Sequence, residues 1–383
     1  MVSTRNGRND SILYHLGQLL PSQIVSAEVA SSISPDVLRI AEDHWVAPLL
    51  AHRVAGEPWR AVPCAQVRDT LRKHLCYEAG FELMTRREVH ALITDCAEIG
   101  IDLLVMKGAA LAYTHYPAPH VRPRLDTDVL IAADDRARMH ALLYRRGYTR
   151  VPAISGRAVV HQAEYTRELP GGLAHSVDVH WKIANPAAFA DLFTFAELRK
   201  TGARVPQLGD AAWTPAPVET LLLLAIHRMA HHERDLDLLC MFDVHLVAEQ
   251  LSAAEWRRLV AMAEERGLTQ ICAEAVQTAR DVVPTAVPAF VEAWIARNAG
   301  APVPRRFAAF ARRDRRVADV IASDLRVLDG WRARANLLRE HLLPPASYMR
   351  ARYPQAPRWA LPYWYAHRIV AGVPRALRRG RFR

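Results

Sequence analysis

One stretch restricts the fold of this chain more than any other. Between Val105 and Ile131 an apolar run ends in Lys107-Gly108, a short helical pattern follows, and a second apolar run carries Asp126 and Asp128. Two carboxylates two positions apart on a strand project from the same face. A glycine where a strand turns into a helix lets an anion approach the first helical amides. The combination predicts a place for a divalent cation beside a phosphate, built on adjacent strands.

The flanks extend this unit into an α/β-like core. Ile101 to Met106 reads as a buried strand, Gly108 to Tyr116 as a helix, and Asp126 to Ile131 as the second strand. Pro117, Pro119 and Pro123 force an irregular link between them, and Asp134-Asp135 opens a helix that ends at Gly147. Residues 158–167 and 174–183 flank Pro170-Gly171-Gly172, which predicts a hairpin. In its second arm Val177, Val179, Trp181 and Ile183 alternate with Asp178, His180 and Lys182. Period two gathers the acid, the imidazole and the amine on one face, either as a third wall of the site or as the solvated face of an edge strand.

The remainder is helical in pattern. Ser34-Pro35-Asp36 starts a helix carried through Val37, Ile40, Ala41, Trp45 and Leu49, which Gly56-Glu57-Pro58 breaks. A longer helix runs from about residue 65 to 98, with Leu75, Leu83 and Leu92 on its apolar stripe and a bend at Gly80. Helices follow from Pro215, the second of them from Asp235 to Gln250. The expected class is therefore α+β with large N- and C-terminal helical parts. The divisions are a helical region over 1–100, the core over 101–213, a helical domain over 214–340 and a tail over 341–383.

Charge sharpens this reading. The formal net charge is +10, but no acidic residue follows Glu340, whereas arginines recur from Arg350 to Arg383. Such a tail is either a solvated terminus or a contact for an anionic partner, nucleic acid or a membrane surface. Lys and Arg together number 50, and only Lys73, Lys107, Lys182 and Lys200 are lysine. Two of those four stand beside the candidate carboxylates. The five cysteines are scattered singly, which predicts reduced thiols and a cytoplasmic setting. The N-terminus shows no signal-peptide pattern, and no apolar run is long enough for a transmembrane segment.

These residue types suit nucleotidyl transfer, an in-line displacement at phosphorus assisted by divalent ions on a carboxylate cluster. Asp126, Asp128 and Asp178 would bind Mg2+, or Mn2+ in its place, and carry the catalysis. Lys107, with the amides near Gly108 and Ala109, would hold the phosphates, while Arg122, Arg124, His180 and Lys182 add positive charge. His227 and His231 share a helix face, and with Asp243 they are candidates for supporting contacts or contacts to the acceptor. Their spacing also suits zinc, but the metalloprotease pattern has Glu where this chain has Arg228.

The run Val105-Met106-Lys107-Gly108-Ala109-Ala110-Leu111, the segment from Arg122 to Ile131, and Val177-Asp178-Val179-His180-Trp181 carry a family resemblance. Gly147-Tyr148, Tyr116, His227, His231, Asp243 and the late Arg358-Trp359 add to it. The chain resembles an uncharacterised bacterial nucleotidyltransferase family of the polymerase-β-like superfamily. The resemblance implies a polymerase-β-like mixed sheet, magnesium and a nucleoside triphosphate, with ATP the expected donor. The acceptor would be a hydroxyl on a small molecule, peptide or sugar. The phosphate turn departs from the superfamily's Gly-Ser or Gly-Gly, since Gly108-Ala109 offers no hydroxyl and leaves more of the holding to Lys107. Two other functions fit the same residues: a nucleotide-binding regulator without turnover, and a toxin-like enzyme that modifies RNA or tRNA.

Overall fold

The alternating stretch of the predicted hairpin becomes the middle strand of a five-stranded mixed sheet. The computed structural model describes residues 2–21, 25–154, 159–231, 237–312 and 315–377. Its strands are β1 (Leu103–Val105), β2 (Thr127–Ile131), β3 (Thr149–Arg150), β4 (Gln162–Leu169) and β5 (Leu173–His180), in the order β1-β2-β5-β4-β3. Only β2 and β5 run parallel, and their register sets Asp128 opposite Asp178 and Leu130 opposite His180. A small second hairpin joins β6 (Ala203–Arg204) and β7 (Trp213–Thr214).

Helices surround the sheet. On the N-terminal side are α1 (Val2–Leu19), α2 (Ala27–Ser31), α3 (Pro35–Asp43), α4 (Ala47–Arg53) and α5 (Ala65–Glu98). The links within and after the sheet contribute α6 (Lys107–Thr114), α7 (Arg136–Arg145), α8 (Ala187–Ala190) and α9 (Phe195–Thr201). Next come α10 (Pro217–His231), α11 (Leu238–Gln250), α12 (Ala253–Glu265), α13 (Thr269–Val282) and α14 (Ala289–Asn298). The last helices are α15 (Val317–Val327), α16 (Gly330–Leu342), α17 (Ala346–Arg352) and α18 (Leu361–Leu377). The fold is α+β, as the sequence predicts.

Two hydrophobic cores share this scaffold. In one, the N-terminal helices pack with α10 to α14, so that Leu16, Leu49, Phe242, Trp256 and Phe310 belong to a single cluster. In the other, one face of the sheet, through Val105, Val129, Val177 and Val179, packs on α7 and the end of α5. Helix α5 has 34 residues and, at the α-helical rise, spans ~51 Å. Its Val67 and Leu71 enter the first core, and its Val89, Leu92 and Cys96 enter the second.

Several boundaries differ from the sequence reading. The helix expected from Ser34 through Leu49 is two helices. Ser34 caps α3 and accepts from the Val37 amide, but Trp45 adopts φ 59° and turns the chain before α4. The α5 stripe is not apolar throughout. Leu83 is 71% exposed, while Glu82 and Thr85 are buried at the seam between the cores. Asp126 precedes β2 rather than lying in it, and β5 ends at His180. The expected hairpin start at residue 158, the start of the second helix at 235 and the tail after 377 lie outside the described residues.

The buried polar group at the seam explains the break in the stripe. Glu82 accepts from the Tyr113 hydroxyl on α6 and from the Arg124 guanidinium, both buried. It thereby ties α6 and the loop before β2 to α5. Removing one partner of a buried ion pair strands the other charge. Glu82→Ala should therefore lower unfolding stability by about 3 kcal/mol or more, read from denaturant unfolding, and a loss below ~1 kcal/mol would contradict this role.

Candidate active site

The parallel register brings the two best-placed carboxylates together. Asp128 on β2 and Asp178 on β5 are both buried. The Lys107 ammonium donates to Asp128 Oδ1 at 2.6 Å, and His180 Nε2 lies 2.8 Å from the same oxygen. His180 Nε2 also lies 3.3 Å from Asp178 Oδ2. Gln162 Nε2 donates to Asp178 Oδ2 at 2.5 Å, and Asn185 in turn donates to Gln162. Central burial of β5 removes the solvated-edge alternative for its polar face.

Lys107 reaches Asp128 from an unusual backbone. Its φ is 50°, and Trp45 is the other non-glycine residue with positive φ among those described. Both line the pocket that holds Asp126 and Asp128. A left-handed conformation is unfavourable for a side chain with a Cβ by about 1–2 kcal/mol, and such strain tends to collect at functional sites.

Electrostatics separates the carboxylates. Burial disfavours charge on Asp128, but Lys107 and His180 hold its pKa well below the ordinary range. Burial also pulls the His180 imidazolium down, yet its hydrogen bonds to Asp128 and Asp178 more than offset this and leave its pKa raised. For Lys107 the same contest, burial against Asp128, ends with the ammonium favoured. Asp126 differs. It is exposed as a residue at the pocket mouth, but the surrounding protein and the Asp128 carboxylate push its pKa up to about 6.

Asp128, Asp178 and His180 each offer a ligand atom, all within 4.8 Å of one another, so this buried group can hold a metal ion. The sequence reading put Asp126 in that trio and His180 among the phosphate contacts. Asp126 lies outside this buried group, just before β2, but lines the same pocket as Asp128. Asp178 Oδ1 is buried without a hydrogen-bond partner. An isolated buried carboxylate oxygen is costly, and a cation would satisfy it.

The arginines have protein partners of their own. Arg122 forks onto Asp243, at 2.6 Å and 3.2 Å, and Tyr116 donates to the same carboxylate at 2.6 Å. A Cβ at position 108 would meet Arg122 Nη1 at 2.6 Å, so glycine there admits the guanidinium against the start of α6. Arg124 lines the pocket but is held by Glu82. Ala109 packs into the core beneath the sheet. His227 lines the pocket, and the His231 ring lies 5.1 Å behind it. Lys182 does not join the site. It lies beyond the end of β5, pairs with Asp191 at 2.8 Å and lines a separate cavity.

Sequence reasoning missed Glu82, Gln162, Asn185 and Trp45. Trp45 reads as part of a continuous helix face, and Glu82 stands beside Leu83 on the long helix with nothing in the pattern to single it out. Gln162 is visible only once its pairing opposite His180 is known.

A family model described as an uncharacterised nucleotidyltransferase matches residues 34–284. Among curated proteins no match is found. No helix among the described residues is long and apolar enough to cross a membrane.

The raised Asp126 has a measurable signature. The folded protein keeps this proton up to about pH 6, whereas an ordinary aspartate loses it near 3.8. The folded state therefore binds more protons across that window, and stability falls as pH rises through it. Asp126→Asn should match the metal-free parent in Tm near pH 4 and exceed it by a margin that grows up to pH ~6.5 and then levels. A difference that stays constant between these pH values, in thermal melts, would contradict the assignment.

Proposed function

The chain belongs to the nucleotidyltransferase family whose model it matches, and we propose that it moves a nucleoside monophosphate from a nucleoside triphosphate, ATP by preference, to a hydroxyl acceptor on a small molecule, peptide or sugar. The observation that carries this reading is the Asp128–Asp178 pair with its open Oδ1, set beside Lys107 at the start of α6.

Asp126, Asp128 and Asp178 would hold Mg2+ or Mn2+. Hard divalent cations favour carboxylates, and His180, whose ring lies within hydrogen-bond reach of two of them, orients these ligands rather than replacing one. When bound, the metal stabilises negative charge on the attacking and leaving oxygens. The protein's own groups do the rest. Lys107 and the first amides of α6 bind phosphate oxygens. Arg122, immobilised by Asp243, presents fixed positive charge for the departing pyrophosphate. Asp178 orients the acceptor hydroxyl and takes its proton as the new P–O bond forms and the bond from the α-phosphorus to pyrophosphate breaks.

The C-terminal end supports a contact with an anionic partner. Trp359 is 84% exposed and Tyr363 62% exposed, on a segment that carries arginines and no acid. Exposed aromatic residues among basic ones suit an anionic membrane surface or a nucleic acid. Arg350 and Arg352, both exposed on α17, are the residues to reverse. Arg350→Glu with Arg352→Glu should weaken binding to anionic vesicles or tRNA at low salt by about tenfold, in a co-sedimentation or filter assay. Absence of any such binding by the parent protein would remove this partner.

For the transfer itself, Asp128→Asn and Asp178→Asn should each reduce pyrophosphate release by about 10³-fold. Lys107→Ala should raise the apparent KM for the triphosphate by about tenfold or more. Unchanged pyrophosphate release by either aspartate variant would sink the assignment.

A further inference from the structure

A second cavity adjoins the candidate site. Lys107, Leu224 and His227 line both spaces. The second runs between α6 and α10, has a volume of about 150 Å³, and is walled mainly by Ala110, Leu111, Ile183, Pro217, Leu223 and Leu224. On the α6 side it is lined by residues 107, 110, 111, 114 and 115, one face of a helix. Those eight steps of helical rise separate its ends by ~12 Å. A group anchored by phosphate at Lys107 could therefore extend a sugar and a flat ring along the cavity to His115.

The far end has a defined hydrogen-bonding demand. The Thr114 hydroxyl donates to the Ala110 carbonyl at 2.9 Å and lies 2.7 Å from His115 Nδ1. A hydroxyl has one proton, so His115 Nδ1–H must donate to Thr114. Burial pulls His115 down to about 4, with Asp243 opposing only in part, so the ring is neutral at pH 7 and Nε2 carries a bare lone pair. That nitrogen is buried without a partner. The Thr220 hydroxyl has also given its proton away, to the Pro215 carbonyl at 3.0 Å. The lining thus includes an acceptor and two hydroxyls already committed as donors, with Lys107, Thr214, His227 and Gln250 as its other polar residues.

Resting on the nucleotidyl-transfer reading above, we propose that this cavity receives the nucleobase of the triphosphate and that His115 Nε2, accepting a hydrogen bond from an exocyclic amine, selects adenine. Adenine offers an amine and no carbonyl, whereas guanine and the pyrimidine bases carry carbonyl oxygens that need donors. A buried polar site rejects an analogue that leaves its groups unpaired far more strongly than an apolar wall rejects a small change of shape.

The test is equilibrium binding of α,β-methylene ATP and its inosine counterpart to the full chain with Mg2+, by titration calorimetry. Inosine places a carbonyl where adenine has its amine. The parent should bind the adenine analogue about tenfold more tightly. His115→Gln presents an amide that can accept from the amine or turn to donate to the carbonyl, and should narrow that preference. His115→Phe should reduce it to about twofold or less. Leu223→Trp, which fills the cavity, should weaken both analogues, with thermal melts confirming that each variant is folded. Equal binding of the two analogues by the parent, a preference that survives His115→Phe, or affinities untouched by Leu223→Trp would overturn the base pocket and leave nucleotide binding standing. Failure of the parent to bind either analogue would overturn the nucleotidyl-transfer reading itself.

Discussion

The contact on which the rest of the site depends is the one between Lys107 and Asp128. It closes the turn from β1 into α6 and fixes the start of that helix against β2. The left-handed backbone at Lys107 is tolerated because the ammonium finds a buried carboxylate at the end of its reach. His180 then bridges from Asp128 to Asp178, and the parallel register aligns the two acids. The Lys107 ammonium and the raised His180 imidazole offset the negative charge of the two buried carboxylates. On the proposed reading, Asp128 would help hold a divalent ion and Lys107 would bind phosphate.

The helical layer does more than cover the sheet. Asp243 lies on α11, over a hundred residues from Arg122, yet it determines where that guanidinium sits. Arg122 in turn lies against Gly108, where any side chain would collide. Glu82 on α5 performs a comparable task for Arg124 and Tyr113. In both cases an acid on a helix orients a cation from the loop that precedes β2. The loop's irregularity, imposed by its prolines, is thus restrained at two points by charge, in addition to the packing of Val121 in the core. Arginine suits this role because its planar fork can be fixed by a carboxylate and still present charge on its other edge.

The sheet, the placement of α6 and the Asp128–Asp178 pairing follow from patterns readable in the chain. Alternation from Val177 specifies which side chains share a face, and it sets Asp178 and His180 together. Roles that depend on contacts between distant segments were less legible. Lys182 continues the alternation by one more step, but the strand stops at His180, and two residues later the amine pairs with Asp191 instead. Asp126 belongs to the motif yet sits before the strand, where the surrounding protein and the Asp128 carboxylate raise its pKa. Glu82 satisfies a helical stripe in position but not in chemistry. A buried acid on such a stripe is itself a signal that a cation waits opposite, since an unpaired charge there would be strongly destabilising.

On the proposed reading, specificity has a physical location. The same face of α6 begins at Lys107, where charge is handled, and ends at His115, where a proton acceptor is buried in an apolar wall. A helix is rigid over this length, so the two ends cannot move independently. A ligand that misplaces its far end by failing to satisfy His115 also misplaces its phosphates relative to Lys107 and the carboxylates. Discrimination at the distant end is thereby expressed in the alignment at phosphorus, where small displacements carry large rate penalties. On that reading α6 acts as a ruler between recognition and chemistry, and its small residues, Ala109, Ala110 and Ala112, let it pack closely in the core with the sheet.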